Sequence, residues 1–359
     1  MERMLMQQIT LNQMTALEQQ TLIALKQKLS KVLVTGAGGF LGKAICERLL
    51  AAGIDVVGLA RGHYPQLTQL GVEMHQGDIS QLADVEQAMI GCDAVFHVAS
   101  KAGVWGSKQS YYSPNVDGAK NIIAACKTLG VEYLVYTSTP SVTFAGVDEN
   151  GIDESAPYAS EYLNYYAESK AIAEQLMLKA NNDTLKVTAL RPHLIWGPND
   201  PHLVPRVIAR AQAGRLKLVG KQDKLVDTIY VDNAAFGHLQ AALELTQQAK
   251  CAGKAYFLSN DEPITMAQML NRILACKGLP QVNKRVPAKL AYAVGSLLET
   301  VYRLAGKQQE PIMTRFVAKQ LSTSHYFNIS AAKTDFGYQA IVSIEQGMER
   351  LAKSLQASE

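Results

Sequence analysis

Tyr166 precedes Lys170 by four residues in the run YAESK. On a helix that spacing puts both side chains on one face, a turn apart. A phenol ionises near ~10, too high for efficient proton transfer at neutral pH, and a neighbouring ammonium lowers that value by favouring the phenolate. The pair therefore has the composition of an acid–base unit, although exposed helical pairs share the same spacing by chance. Tyr162 and Tyr165 stand close by, but Tyr166 and Ser169 follow them at the fourth position where a lysine is needed. Tyr166 is the phenol selected.

A second chemical feature is the stretch VLVTGAGGFLG, which sets Gly36, Gly39 and Gly42 at GxxGxxG spacing between an apolar strand and a helix. One glycine makes a tight turn, one lets the backbone approach a pyrophosphate, and one lets helix pack on strand. The helix start at Phe40 and Leu41 offers free N–H groups and a positive dipole end to the phosphates. At the end of the next strand, GLARGHYP carries Arg61 where a carboxylate would grip a ribose 2′-hydroxyl. A guanidinium suits a 2′-phosphate, so NADP(H) is the expected cofactor; a solvated surface arginine is the competing reading.

The third feature is a set of hydroxyls. The strand Tyr133–Thr137 runs into TSTPS, and the C-terminal end of a parallel strand faces the ligand. Ser138, Thr139 and Ser141 all compete to bond a substrate oxygen, and Thr139 is preferred. Asn115, in the preceding helix, is placed to steady a water or a backbone group near the lysine.

Elements that alternate along the chain must position these groups. Strands are expected at Val32–Thr35, Asp55–Ala60, Glu73–Gln76, Ala94–Val98, Tyr133–Thr137, Lys186–Arg191 and Ala255–Leu258. Helices intervene at Phe40–Ala52, Ala83–Ile90, Tyr111–Leu129 and Glu161–Lys179, and a strand-helix piece at Thr228–Leu245 precedes the last strand. Alternation of this kind implies βαβ units, hence a doubly wound, Rossmann-type α/β fold with a parallel sheet. Residues 31–195 and 226–260 form the expected dinucleotide-binding domain; 196–225 and 261–359 form a smaller, mostly helical substrate lobe. Residues 1–30 read as an appended helix with Leu11, Met14, Leu22, Leu25 and Leu29 on one stripe, interrupted by Glu18. That helix is expected to dock on a partner and lie outside the fold.

Taken together, the glycine loop, Asp78 and Ile79 in QGDI, HVAS with Ala99, Asn115 in NVDGAKNII, TST, YxxxK and LRPHLIWGP resemble the extended short-chain dehydrogenase/reductases. The likeness is to their 3β-hydroxysteroid dehydrogenase-like branch, over about residues 31–350. It implies interconversion of a hydroxyl and a carbonyl, with Tyr166 as acid/base and Lys170 holding the ribose and tuning Tyr166. Thr139 would orient the carbonyl, a threonine where the usual residue is serine, and Asn115 completes the set. Asp78, Ile79, Ala99, Lys101 and Pro192 join the glycine loop and Arg61 as implied cofactor contacts. A narrower resemblance rests on KAGVWGS, VYTSTPSVTF, LIWGPND, KLVDTIYVDNAA and the tail PIMTRFVAKQL. It is to the ketoreductases of bacterial long-chain olefin biosynthesis, which reduce a 2-alkyl-3-oxoalkanoate to the 3-hydroxy acid. That implies a long-chain hydrophobic substrate, a homodimer through Tyr111–Leu129 and Glu161–Lys179, and association with other enzymes of that pathway. Sterol or hydroxysteroid oxidation with NAD, nucleotide-sugar epimerisation or dehydration, and a redox sensor without turnover are the alternatives.

Composition narrows the field. Apolar residues make up 48% of the 359 and charged residues 19%, enough for a sizeable core. A net charge of +3 with scattered Lys and Arg is a poor footprint for nucleic acid. Five well-separated cysteines without a CxxC pair suggest buried thiols, and the seven histidines show no metal spacing, so no metal is expected. No apolar run approaches the roughly 20 residues of a membrane span, and no signal-peptide layout opens the chain, so a cytoplasmic location is expected. Trp105 and Trp196 flank the expected cofactor face as core or tunnel residues. Lys289–Leu304 has a broad apolar side that either packs on the core, forms a lid, or touches a membrane.

Overall fold

The computed structural model describes residues 9–357. Seven strands form one sheet: β1 (Lys31–Thr35), β2 (Asp55–Ala60), β3 (Glu73–Gln76), β4 (Ala94–His97), β5 (Tyr133–Thr137), β6 (Lys186–Pro192) and β7 (Ala255–Leu258). Their order is β7-β6-β5-β4-β1-β2-β3 and every neighbouring pair is parallel. Runs such as Val32–Val34 and Val95–Phe96 are buried on both faces, which is why these strands read as unbroken apolar segments. The order reverses between β1 and β4. A crevice opens there at the strands' C-terminal ends, and in doubly wound folds that is where ligands bind.

The helices that matter to this crevice are α1 (Ala16–Lys26), α2 (Phe40–Ala51), α3 (Gly118–Leu129), α4 (Tyr165–Lys179), α5 (Val231–Leu245) and α6 (Ala288–Leu304). Two differ from expectation. The helix expected over Tyr111–Leu129 begins at Lys108 and passes through a π turn, Ser113–Asp117, before α3. Pro114 lies in that turn and lacks the N–H that a regular ladder needs. The helix expected from Glu161 starts instead at Tyr165, because the Asn164 side chain caps it by accepting the Ala167 N–H at 2.8 Å.

The N-terminal helix requires a correction. It was expected to stand apart, yet α1 packs on α5 and its Leu22, Leu25 and Leu29 belong to the main core cluster. Leu22 and Leu25 are fully buried. The misplaced-looking Glu18 supplies the reason. It is 4% exposed and forms an ion pair with Arg48 of α2 at 3.3 Å, while Arg48 also reaches Asp232 of α5 at 3.0 Å. The polar break in the stripe is therefore a buried joint between three helices.

Beyond the sheet, a small four-stranded sheet joins Ile264–Thr265, Leu225–Val226, His325–Phe327 and Glu149–Ile152, in that order. Glu149–Ile152 ties the C-terminal lobe to the segment between β5 and α4. α6 packs on the helix Arg315–Gln320 through Ala291 and Gly295, while its opposite side faces outward. Cys46, Cys92, Cys126 and Cys251 are buried free thiols and Cys276 is half-buried. Among the described residues no helix is long and apolar enough to cross a membrane.

Candidate active site

The glycine loop follows β1 directly. Gly36 has φ +68°, a backbone state that side chains rarely adopt, and a Cβ there would lie 2.9 Å from the Ala99 backbone. A Cβ on Gly42 would lie 2.2 Å from the Gly36 carbonyl. The loop thus hugs both α2 and the segment after β4, and α2 starts at Phe40 with Gly39 as an N-cap that offers no side-chain bond to the first N–H groups. A loop this close to its neighbours, at a helix N-terminus, fits the pyrophosphate of a dinucleotide. Arg61 is exposed just past β2, and its carbonyl accepts the Gln76 side-chain N–H at 3.0 Å. Asp78 caps its own turn, accepting the Ser80 N–H at 2.9 Å, and the Ile79 carbonyl accepts from Asn121 at 3.0 Å.

The sheet brings the catalytic candidates to one place. Lys170 is 2% exposed; its ammonium donates to the Thr137 carbonyl at 2.6 Å and sits 4.2 Å above the Tyr136 ring. Burial pulls its pKa down to about 7, and the Glu174 carboxylate opposes that fall. Tyr166 is half-buried one turn earlier. Burial raises its phenol pKa, and the Thr139 hydroxyl stands close enough to draw it back by hydrogen bonding. One turn away, the Lys170 ammonium is engaged with the Thr137 carbonyl.

Of the three competing hydroxyls, Thr139 is the one that bears on the Tyr166 phenol, opposing the rise that burial causes. Its oxygen also accepts the Ser141 N–H at 3.2 Å and donates to the Ser141 hydroxyl at 3.2 Å, which fixes its direction. The Ser138 hydroxyl is buried without a hydrogen-bond partner among the described residues. Asn115, held in the π turn, accepts the Lys101 N–H at 2.7 Å and donates to the Ser169 hydroxyl at 2.9 Å. It therefore joins the loop after β4 to α4 beside Lys170. Lys101 lies 4.8 Å from the Tyr111 ring centre, and Tyr111 is 6.5 Å from Tyr166, ring to ring.

Other singled-out residues take quieter places. His97 is buried at the end of β4, sharing a 2.8 Å hydrogen bond with Thr35 and stacking on Tyr136, and burial pushes its pKa down to about 3. His193 follows Pro192 and pairs with His325 at 2.7 Å. Trp196 is core, its indole N–H bonded to Thr228 at 3.1 Å. Trp105 lines a cavity of about 570 Å³ with Tyr111, Tyr162, Asn164, Tyr165 and Tyr302. Among the described residues no group of three His, Cys, Asp or Glu side chains is arranged to hold a metal. Sequence reasoning missed the Ser169 link, the π turn, and the buried Glu174–Arg191 pair. The last left a trace: Glu174 falls four residues after Lys170, and Arg191 is the central residue of LRP.

A Rossmann sheet, a glycine loop and a Tyr–Lys pair at the crevice define a dinucleotide-dependent oxidoreductase, and comparison with known proteins names the family. Residues 33–287 match the 3-beta hydroxysteroid dehydrogenase/isomerase family, and the chain belongs to it. It is 69% identical to a 2-alkyl-3-oxoalkanoate reductase of Shewanella oneidensis, over 95% of this chain and 90% of the relative. It is 49% identical to the protein of that name in Stenotrophomonas maltophilia, over 90% and 99%. A mouse sterol-4-alpha-carboxylate 3-dehydrogenase, decarboxylating, is 35% identical over 91% of each chain. Among solved structures, a Thermus thermophilus UDP-glucose 4-epimerase complex with NAD aligns with a TM-score of 0.70 at 23% identity, covering 92% of this chain and all of the other. That likeness speaks to the fold.

Proposed function

We propose that this protein reduces the 3-oxo group of a long-chain 2-alkyl-3-oxoalkanoate to the 3-hydroxy acid, with NADPH as reductant, as a step of olefin biosynthesis. The observation that carries the reading is the Tyr166 phenol one helical turn from buried Lys170, whose ammonium is held on the Thr137 carbonyl. The names of relatives 69% and 49% identical point to the substrate. When bound, the nicotinamide supplies hydride to the carbonyl carbon. Tyr166 then gives a proton to the substrate oxygen, which Thr139 holds; donors aimed there beforehand stabilise the charge that gathers on it. Lys170 anchors the ribose and Asn115 braces the loop. Arg61, exposed after β2 without a carboxylate beside it in GLARGHYP, supports NADPH over NADH.

We read the lobe made of 196–225 and 261–359 as the cover of the substrate site. The outward side of α6 carries Leu290, Val294, Leu297, Val301 and Leu304, each exposed. Lys284, Lys289, Arg303 and Lys307 flank it, and the sole acid between 281 and 309, Glu299, is buried against Arg315. An apolar stripe with a basic border suits the surface of an anionic membrane, where an oily substrate collects. A homodimer through α3 and α4, where Leu129, Ile172 and Leu176 remain partly open, completes the proposal.

The test is consumption of NADPH with a panel of 2-alkyl-3-oxo acids, sterols and sugar nucleotides. Turnover confined to the 3-oxo acids is expected; NAD-linked oxidation of a sterol, with no activity on the acids, overturns the reading.

A further inference from the structure

Glu174 takes no part in the chemistry above, yet it is among the most deeply buried charged side chains, fully withdrawn from solvent. It lies on α4 one turn beyond Lys170 and two beyond Tyr166, on the same face. Both its oxygens are occupied: Arg191 donates through Nε at 2.9 Å and Nη2 at 2.5 Å, and the Tyr158 hydroxyl donates at 2.7 Å. Arg191 comes from β6, directly before Pro192. Its guanidinium carbon sits 5.0 Å from the Phe257 ring centre and 5.7 Å from that of Tyr158. Its Nη1 is buried without a hydrogen-bond partner among the described residues.

A buried ion pair adds little stability over well-packed apolar side chains, so its place needs another reason. The reason lies one turn back. The groups facing Lys170 are Tyr166 and Glu174 on its own helix, the Thr137 carbonyl and Tyr136 ring from β5, and His97 from β4. Among these the neutral dipoles can orient the ammonium, but Glu174 is the group that brings opposite charge, with the Arg191 cation bound to it on β6.

We propose that Glu174, gripped by Arg191 and Tyr158, is a positioning residue that keeps Lys170 an ammonium in its buried seat, ready for the ribose and for Tyr166. The two parallel guanidinium bonds hold the carboxylate in one orientation, which a single flexible partner would not do. Burial alone drives Lys170 toward the neutral amine, and Glu174 is the influence that opposes it. The proposal rests on Lys170 acting as the ribose anchor; it does not depend on which carbonyl is reduced.

The experiment is the pH dependence of NADPH binding to the full chain, followed by cofactor fluorescence without any keto substrate. In the wild type, binding should weaken as pH rises through the Lys170 pKa, and Lys170→Met should abolish that alkaline limb. In Glu174→Gln the limb should move to lower pH by about one unit, a modest loss for one nearby charge. Glu174→Asp should bring it back toward the wild-type position. Because Glu174→Gln leaves Arg191 buried and unpaired, the double variant Glu174→Gln/Arg191→Met serves if the single one does not fold; it should show a smaller downward shift, because the Arg191 cation goes with the carboxylate. A folded variant of either kind whose limb stays at the wild-type pH would reduce the pair to a structural clamp. A shifted limb with no turnover on any 3-oxo acid would sink the proposed function and leave Glu174 in its role.

Discussion

Two regions of this molecule break the usual rule of what is buried, in opposite directions. At the C-terminal ends of β4, β5 and β6, charged and titratable side chains are withdrawn from water: His97, Lys170, Glu174 and Arg191 are each under 5% exposed. On α6 the reverse holds, with Leu297 at 65% and Leu304 at 85% exposed. Soluble folds rarely bury lysine or glutamate unless paired, and a contiguous exposed apolar stripe marks a contact surface. The first region gives up hydration for fixed pairings, Lys170 on the Thr137 carbonyl and Glu174 on Arg191, and the second leaves apolar side chains in water. On the function proposed here, each departure from the burial rule sits where a ligand is handled.

The sharpest way to break this comparison is at the phenol. Tyr166→Phe removes one hydroxyl and keeps the ring, so NADPH binding should survive while kcat falls about 10²–10⁴-fold, the usual contribution of a positioned acid. Steady-state kinetics on the best 3-oxo substrate decides; a near-normal kcat would return the role to Tyr162 or Tyr165.

A control for burial comes from α1, which belongs to neither region. Leu22→Ala should cost about 2–5 kcal/mol in denaturant unfolding, as a fully buried leucine does. Deleting residues 9–29 should abolish soluble expression; a soluble, NADPH-binding truncation would return α1 to the status of an appendage.

The charge burial also makes a signed prediction. Glu149 is buried, accepts a hydrogen bond from Thr143 at 2.8 Å, and burial pushes its pKa from 4.5 up to about 7. The folded state holds this proton where the unfolded chain has lost it, so the group's contribution weakens as pH rises from about 4.5 to 7. Glu149→Gln should therefore raise stability, and with it Tm, at pH values above 7, by about 3 kcal/mol at most, and change little near the bottom of that window. An equal gain at both ends would mean that packing, and not ionisation, is the cause.

Cofactor choice should respond by a smaller factor. Arg61→Ala is expected to raise the KM for NADPH about tenfold and leave that for NADH nearly unchanged, the worth of one exposed charge-assisted pair. Equal effects on both would take Arg61 out of the site. The mildest change is on α6: Leu297→Glu should leave Tm and NADPH binding alone but reduce co-flotation with anionic vesicles. If wild type does not float with such vesicles while light scattering shows α6-dependent self-association, the stripe is a protein contact instead.

Much of this arrangement was legible in the residues. The seven strands, the glycine loop and the Tyr–Lys pair are local signals: alternation of apolar runs, GxxGxxG spacing and a four-residue interval each depend on residues near one another in the chain. So β2, β5 and β7 begin and end where their apolar runs and flanking polar residues place them. What only the tertiary structure decided involves partners far apart in sequence. Glu18 spoils a helical stripe until Arg48 and Asp232 are brought beside it. Thr139, Ser138 and Ser141 are equal as letters, and the fold makes Thr139 the cap of the turn at Pro140 and the hydroxyl that bears on Tyr166. Glu174 is an ordinary helical acid until β6 lays Arg191 across it. The outward turn of α6 likewise depends on which side Arg315–Gln320 covers. Periodicity names a face; the fold decides what meets it.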